Sequence, residues 1–180
     1  GPGQFSTFTE EGETKTPAFA LHLRSALEKV GGWDEHFITS QDSDLSMRLI
    51  KEGFTLYRTP GITVEMKRRT SLKSWYLMSH RYGFWRTKVL LKHPSRIVLR
   101  EFLPLFGALF TVGMFVVNFQ WGIFPLLAYT SALLISGLYS SRKGILNLLG
   151  VPICLLILHI GFTFGLLDGC VRKGRASRDR

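Results

Sequence analysis

The strongest constraint on this chain is a run of 40 positions, residues 102–141, without a charged side chain. A second run of 24 positions, residues 144–167, also lacks Asp, Glu, Lys and Arg. A membrane-spanning helix needs about 20 apolar residues, so the first run can hold two spans and the second run one. A buried hairpin of a soluble protein is the alternative, but so long a run would leave it no face for water. The sequence therefore predicts a membrane-embedded carboxyl-terminal half.

We place the first span at Leu103–Phe119 and the second at about Ile123–Tyr139, joined by a tight connection at Asn118–Gly122. The third stretch, Ile145–Leu167, is weakened by a proline, a histidine and several glycines. If it crossed fully, the basic tail at residues 170–180 would lie outside, against the positive-inside rule. We therefore expect a broken or re-entrant element that returns the tail to the cytoplasmic face.

The basic side chains are concentrated just before the apolar half. Residues 61–101 contain ten Lys and Arg against two Asp and Glu. Such a patch can bind nucleic acid or an acidic polymer, so a membrane-anchored basic binding module without catalysis is the alternative function. The positive-inside bias explains the same residues without nucleic acid. We expect residues 71–101 to form a basic amphipathic region at the interface, with membrane lipids and no nucleic acid as partners.

The amino-terminal hundred residues show short helix and strand signals. The predicted elements are a helix at Arg24–Val30, a turn at Trp33–Phe37 with two buried aromatic rings, a helix at about Gln41–Glu52 capped by Ser40, strands at Phe54–Arg58 and Ile62–Met66 around a turn at Pro60-Gly61, and a long helix from Thr70 or Ser71 to just before His93-Pro94. These indicate an α/β fold with too few strands for a complete sheet. We expect that part of a domain is missing and that Gly1 is not the natural start.

The triplet Asp42-Ser43-Asp44 is the first candidate for chemistry. Two carboxylates at this spacing can hold a divalent cation through their hard oxygens. They can equally complement the positive end of a helix dipole and cap free N–H groups. His80 and His93 have no companion ligands at metal spacing, so neither indicates a metal site.

Several ordered motifs resemble the acceptor-side half of family 2 glycosyltransferases, in which a GGFDE-like turn precedes an (E/Q)D-x-(D/E)-L-x-x-R-L helix and a G-(Y/F) strand. The matching residues are Gly31-Gly32-Trp33-Asp34-Glu35, Gln41-Asp42-Ser43-Asp44-Leu45-Ser46-Met47-Arg48-Leu49, Gly53-Phe54 and Pro60. A later set looks like the membrane-anchored, succinoglycan-type branch that builds exopolysaccharides, and comprises Arg69-Thr70-Ser71-Leu72, Tyr82-Gly83-Phe84-Trp85-Arg86 and Lys92-His93-Pro94.

The resemblance implies the acceptor-side part of a GT-A, Rossmann-like glycosyltransferase domain in residues 1–70, followed by α-helical transmembrane segments in residues 102–169. It assigns the general base to Asp42, which would take the proton from an acceptor hydroxyl, and a supporting role to Asp44. Donor or acceptor contacts would come from Gly31, Gly32, Trp33, Asp34, Gln41, Arg81, Trp85 and Arg86. Plain packing of Trp33, and a solvated or lipid-facing surface for most of the basic helix, are the alternatives. Met78 stands where the family pattern has Gln.

The predicted function is therefore that of a partial, membrane-bound glycosyltransferase. It would transfer a sugar from a nucleotide-sugar donor to a lipid-linked or growing polysaccharide acceptor, with inversion. The resemblance also implies Mg²⁺ or Mn²⁺ in the full-length enzyme, bound by an Asp-x-Asp motif upstream of this chain. We expect the isolated chain to be inactive, and the catalytic part and the tail of this multi-pass protein to be cytoplasmic.

Overall fold

A computed structural model describes residues 10–15, 19–61 and 70–173. These residues are mostly helical, with little sheet. They divide into two compact units. The first contains the described residues up to Gly61 together with Lys88–Arg96, and the second contains residues 70–87 and Ile97–Arg172.

The first unit is built around two short helices, α1 at Arg24–Lys29 and α2 at Gln41–Lys51. Both were predicted, because a short apolar pattern and the glycines that follow are local signals. Leu45 and Leu49 lie four residues apart and therefore share one face of α2, where both are buried. The small core they form also includes Ala26, Leu27, Val30, Phe54 and Leu56.

The strand content is smaller than predicted. Strand β1 at Gly12–Glu13 pairs antiparallel with β2 at Tyr57–Arg58. The predicted strand at Phe54–Arg58 is too long, because the N–H of Phe54 instead donates to the carbonyl of Leu49 and closes the end of α2. The turn at Pro60-Gly61 is confirmed. The other predicted strand, Ile62–Met66, lies outside the described residues.

Helix α3 at Leu72–Lys92 confirms the predicted long helix that ends before His93-Pro94. In the second unit it is followed by α4 at Leu103–Val117, α5 at Phe119–Ser141 and α6 at Asn147–Val171. These three helices, the first counted from Leu99, are long and apolar enough to cross a membrane, as predicted.

The connection between α4 and α5 is shorter than the predicted Asn118–Gly122. Asn118 alone separates the two helices, with an extended backbone. Its side-chain oxygen accepts a hydrogen bond of 2.8 Å from the N–H of Gln120 and so caps α5. An N-cap at this position lets the second apolar helix begin at once.

The prediction that the third apolar stretch is broken is wrong, because α6 is continuous over 25 residues. Pro152 lies near its start, where the missing N–H removes one hydrogen bond. Three of its glycines are packing positions: Cβ atoms added at Gly161, Gly165 and Gly169 would collide with the α3 residues Ser79, His80, Phe84 or Thr87. Glycine therefore brings the backbones of α3 and α6 into close contact.

Helices α3 and α6 run parallel along this contact. The indole N–H of Trp75 donates to the carbonyl of Cys154 at 2.8 Å, and the Thr87 hydroxyl donates to the carbonyl of Leu166 at 2.9 Å. The intervening residues of α3 follow the successive glycines of α6 in the same order. One face of α3 is thus fixed along the last turns of an apolar helix.

Candidate functional site

The turn after α1 has a backbone that favours glycine at two successive positions. Gly31 and Gly32 have φ angles of 75° and 71°, in the left-handed region that costs other residues free energy. The N–H of Gly32 donates to the carbonyl of Leu27 at 2.9 Å and closes α1. The motif thus has a backbone reason to carry two glycines.

Trp33 follows this turn and is 48% exposed, so the prediction of two buried rings in the turn is wrong for Trp33. Its indole makes an edge-to-face contact with the His22 ring, with centroids 5.8 Å apart. Phe37 is buried, as predicted. The indole therefore presents an aromatic surface next to the turn.

The first turn of α2 carries the predicted base. Ser40 occupies the N-cap position as expected, but its backbone is left-handed (φ 64°) and its side chain makes no capping hydrogen bond among the described residues. Asp42 instead accepts a hydrogen bond of 2.8 Å from the N–H of Ser43 through Oδ1. Asp42 is partly exposed and Gln41, the first helical residue, is exposed.

Asp44 has a different environment from Asp42. Two residues correspond to about 200° of rotation on an α-helix, so the two side chains leave opposite faces of α2. Asp44 has no exposed surface. Arg48, one turn further on, donates through Nε to Oδ2 of Asp44 at 2.9 Å, and through Nη1 to the carbonyl of Val30 at 2.6 Å.

The other oxygen of Asp44 is bound from the end of α3. Lys92 Nζ and His93 Nε2 lie 2.7 and 2.8 Å from Oδ1 of Asp44. Lys92 Nζ also donates to Oδ2 of Asp34 at 2.7 Å and lies 5.2 Å from the centre of the Phe37 ring. We call Asp34, Asp44, Arg48, Lys92 and His93 the carboxylate network.

The carboxylate network stabilises its charges mutually. Hydrogen bonds from Lys92 and from the N–H of His36 hold the pKa of Asp34 below its usual value. Burial alone would raise the pKa of Asp44, but hydrogen bonds from Lys92, His93 and Arg48 outweigh it and lower that pKa. Burial likewise opposes the charge of Lys92, and the two carboxylates outweigh it and raise the pKa of Lys92. The carboxylates are thus ionised at neutral pH and already partnered.

The residues present do not fit a divalent-cation site. Asp42 and Asp44 leave opposite faces of α2, and the oxygens of Asp44 are bound by Lys92, His93 and Arg48. Across the described ranges, His, Cys, Asp and Glu side chains form no group of three or more that could hold a metal ion. No step of the chemistry is therefore assigned to a metal held by these residues.

The remaining predicted site residues belong to the second unit. Arg81 is partly exposed, and its Nε is buried without a hydrogen-bond partner in the part of the chain that the structure describes. Trp85 is fully buried, in edge-to-face contact with Phe84. Arg86 donates from two nitrogens to the carboxylate of Glu101, one of these bonds being 2.6 Å long. The guanidinium of Arg86 is therefore already engaged by a carboxylate.

The second unit also contains an open cleft between α3 and α6. It is lined by Tyr76, His80, Phe164, Leu167, Asp168 and Val171. His80 Nε2 lies 3.5 Å from Oδ2 of Asp168, which also pairs with Arg172 at 3.0 Å. None of the predicted site residues lines this cleft.

Sequence reasoning missed the roles of Arg48, Lys92 and His93. Arg48 had a usable signal, because residues four apart on a helix face each other and Asp44 precedes it by four. Lys92 and His93 lie nearly fifty residues from Asp44, and only the motif in which they stand marked them. The site combines these distant residues with the predicted turn and helix.

Comparisons with known proteins support the motif-based interpretation. The chain is 28% identical over 149 residues to the succinoglycan biosynthesis protein ExoA of Rhizobium meliloti (strain 1021), covering 81% of this chain and 45% of that protein. It is 29% identical over 143 residues to the dolichyl N-acetyl-alpha-D-glucosaminyl phosphate 3-beta-D-2,3-diacetamido-2,3-dideoxy-beta-D-glucuronosyltransferase of Methanococcus voltae, covering 78% and 42%. It is 35% identical over 81 residues to a pre-mycofactocin glycosyltransferase of Mycobacterium tuberculosis, covering 44% and 17%.

The chain spans less than half the length of these curated relatives. No family model matches it, and no solved structure matches it significantly. Two of these relatives are glycosyltransferases by name, and the other is named a succinoglycan biosynthesis protein. The predicted relationship to glycosyltransferases is thereby confirmed.

Proposed function

We propose that this chain is the acceptor-side part and membrane anchor of a family 2 glycosyltransferase. The full-length enzyme would transfer a sugar from a nucleotide-sugar donor to a lipid-linked or growing polysaccharide acceptor. The observation that carries the proposal is the partly exposed Asp42 at the start of α2, in a chain related to glycosyltransferases. Asp44 is buried and bound on both oxygens, which leaves Asp42 as the carboxylate of this pair that an acceptor can reach.

Asp42 would act as the general base. Its carboxylate accepts the proton of an acceptor hydroxyl while that oxygen attacks the anomeric carbon of the donor sugar. The bond from the anomeric carbon to the nucleoside diphosphate breaks as the new glycosidic bond forms, which inverts the configuration. A base must be ionised, and the amino end of a helix favours a negative charge. Asp42 lies in the first turn of α2, where this effect is strongest.

The other predicted residues would bind rather than react. The left-handed Gly31–Gly32 turn keeps side chains away from the approaching sugar, and the exposed indole of Trp33 offers a face for a pyranose ring. Gln41 is exposed beside Asp42 and has an amide to hydrogen bond with hydroxyls. Arg81 would bind a phosphate, whose oxygens match the guanidinium fork. Arg86 and Trp85 would support the helix, through the Glu101 pair and through packing.

The rest of the enzyme would lie outside this chain. We expect a GT-A domain whose nucleotide-binding half carries the Asp-x-Asp ligands for Mg²⁺ or Mn²⁺. When bound, such an ion would neutralise the diphosphate of the donor. Residues 1–70 would complete that domain on the acceptor side. The chain alone would therefore transfer no sugar.

The membrane arrangement we propose places the catalytic part and the tail in the cytoplasm. Basic residues precede α4 and follow α6, and the positive-inside rule favours both on the cytoplasmic side. Both ends can share one side only if an even number of helices cross. One of the three apolar helices must then stay on the side on which it begins.

We propose that α6 is the helix that does not cross. Between Cys154 and Gly169 it is covered along one face by α3, which carries Lys73 and Arg81. If α6 crossed in full, these cations would lie at bilayer depth, where each costs about 2.5–3.5 kcal/mol even on insertion scales. An interfacial position of the α3–α6 pair avoids this cost.

The direct test is sugar transfer by the full-length polypeptide in isolated membranes. Membranes containing the wild type are incubated with radiolabelled UDP-glucose, UDP-galactose, UDP-N-acetylglucosamine and GDP-mannose, and label is followed into lipid and polymer. We expect transfer from one of these donors, and a loss of about 100-fold or more in Asp42→Asn with donor binding retained. Full turnover by Asp42→Asn would contradict the base assignment, and incorporation by the short chain alone would contradict the need for the missing half.

A further inference from the structure

We infer that Lys92 is a positioning residue: its ammonium group holds the Gly31–Asp34 turn and the first turn of α2 at a fixed distance, and thereby places Trp33 relative to Asp42. This inference rests on the proposed function, because it gives that function's turn and base a common support. Lys92 is the last residue of α3 and stands far from both segments in sequence. It contacts no reacting atom in this account and acts through its two carboxylate partners.

The geometry is that of a bridge. Nζ of Lys92 lies 2.7 Å from Oδ2 of Asp34 and 2.7 Å from Oδ1 of Asp44. Asp34 directly follows Trp33 in the turn, and Asp44 comes two residues after Asp42 in α2. A single cation therefore connects the segment that carries the exposed indole with the helix that carries the candidate base.

The bridge needs a cation at this position. Asp44 has no exposed surface, and a buried carboxylate is costly unless its oxygens are bound. Arg48, from the same helix, binds one oxygen, so the other oxygen depends on Lys92 and His93 from outside α2. Lys92 is the member of this pair that also reaches the turn.

Within the turn, few described contacts duplicate this link. Asp34 accepts a hydrogen bond of 2.9 Å from the N–H of His36 through Oδ1, which shapes the turn internally. Arg48 Nη1 donates to the carbonyl of Val30, just before the glycines. The hydrogen bond from Lys92 is the described side-chain contact that ties Asp34 to α2, through Asp44. Loss of the ammonium would release the turn at Asp34, whereas the attachments at Val30 and at the buried Phe37 would stay.

The test compares three variants of the full-length protein in lipid nanodiscs. Lys92→Met keeps the length of the side chain and removes the charge, and Lys92→Arg keeps both the charge and the donors. Lys51→Met removes an exposed lysine at the end of α2 and serves as the matched control. Hydrogen exchange is measured for peptides that cover residues 30–37 and 40–46, and transfer is measured with the labelled donor that the wild type uses.

We expect Lys92→Met to raise exchange in residues 30–37 about tenfold or more and to lower kcat about 10- to 100-fold with a smaller change in KM for the donor. Lys92→Arg should keep hydrogen exchange and kcat close to the wild-type values, and Lys51→Met should change neither quantity. Unchanged exchange in Lys92→Met, or an arginine variant as defective as the methionine variant, would overturn the inference while leaving the glycosyltransferase proposal intact. If exchange responds but the wild type transfers no sugar from any donor, the proposed function fails, and with it the role of Lys92 in catalysis.

Discussion

Asp42 and Asp44 stand two residues apart on α2 and face opposite ways: Asp44 has no exposed surface, whereas Asp42 is partly exposed. The buried carboxylate accepts one hydrogen bond from Arg48 and is bound by Lys92 and His93. The exposed one has a backbone N–H as its described partner. One short motif thus supplies a structural anchor and a side chain that is free for chemistry.

The first prediction concerns stability at low pH. The pKa values of Asp34 and Asp44 are lowered in the folded state, so the unfolded chain takes up protons first as the pH falls. Their contribution to the free energy of unfolding is complete above the ordinary carboxyl pKa of about 4 and is lost as the pH falls through the lower folded-state values. Asp34→Asn should therefore lower the free energy of unfolding near neutral pH and make it depend less on pH in the acid range.

The measurement is thermal unfolding in detergent between about pH 3 and about pH 8, for the wild type and Asp34→Asn. Lys92 has the opposite pH dependence. Because its pKa is raised, its contribution to the free energy of unfolding is complete below about pH 10 and is lost at higher pH. Glu28→Gln, which removes an exposed ion pair with Arg24, is the control and should change stability by less than about 0.5 kcal/mol. If the stability of the wild type and of Asp34→Asn falls equally steeply with decreasing pH, the carboxylate network does not stabilise the ionised Asp34.

The second prediction concerns the glycine turn. Gly32 has a φ of 71°, which costs an L-residue about 1–2 kcal/mol, so Gly32→Ala should destabilise the protein by about that amount. It should also disturb Trp33, the next residue, which can be followed by tryptophan fluorescence. Gly61→Ala is the control, because its added methyl would lie at an ordinary 3.6 Å from Thr59 Oγ1. Equal stability of the two variants would argue against a backbone requirement at Gly32.

The third prediction concerns the contact between α3 and α6. A methyl group added at Gly165 would overlap the carbonyl of His80, so Gly165→Ala should lower stability by about 1–3 kcal/mol. Gly150 lies on the same helix, and its added methyl would meet no described atom within 4 Å. Gly150→Ala should therefore be neutral or slightly stabilising. The measurement is thermal unfolding of both variants in detergent. Wild-type stability of Gly165→Ala would show that the close contact between the α3 and α6 backbones is not required.

The fourth prediction concerns membrane topology. In a background with Cys154 and Cys170 replaced by Ser, single cysteines are introduced at Gln120, Ser141 and Lys173. A membrane-impermeant maleimide should label Gln120→Cys in intact cells, and Ser141→Cys and Lys173→Cys only after permeabilisation. This pattern follows if α4 and α5 cross and α6 stays on the cytoplasmic side. Labelling of Lys173→Cys in intact cells would show that α6 crosses.

Local features of the fold were predictable from the sequence, and long-range ones were not. The helices at Arg24–Lys29 and Gln41–Lys51 are each followed by glycine and carry apolar residues at helical spacing. Long charge-free runs mark α4, α5 and α6. The continuity of α6 was missed because its glycines weaken a helix in isolation but serve packing against α3. That partner is distant in sequence and leaves no local signal.

The candidate site divides in the same way. The motif predicted the glycine turn, since its left-handed backbone is a local feature. The roles of Asp42 and Asp44 in transfer stay predictions. The motif did not predict that Lys92 would bind both carboxylates, because no local rule links Lys92 to residues that lie 48 and 58 positions before it. The exposure of Trp33 was also missed, since hydrophobicity alone favours burial of an indole.

The division of labour within Asp42-Ser43-Asp44 is tested most directly by measuring turnover and unfolding on the same preparations of full-length Asp42→Asn and Asp44→Asn. We predict that Asp42→Asn loses about 100-fold or more in kcat while its stability stays within about 0.5 kcal/mol of the wild type. Asp44→Asn should lose about 3 kcal/mol of stability, because it removes a buried carboxylate that Arg48, Lys92 and His93 bind. An Asp42→Asn enzyme with wild-type turnover would contradict the account.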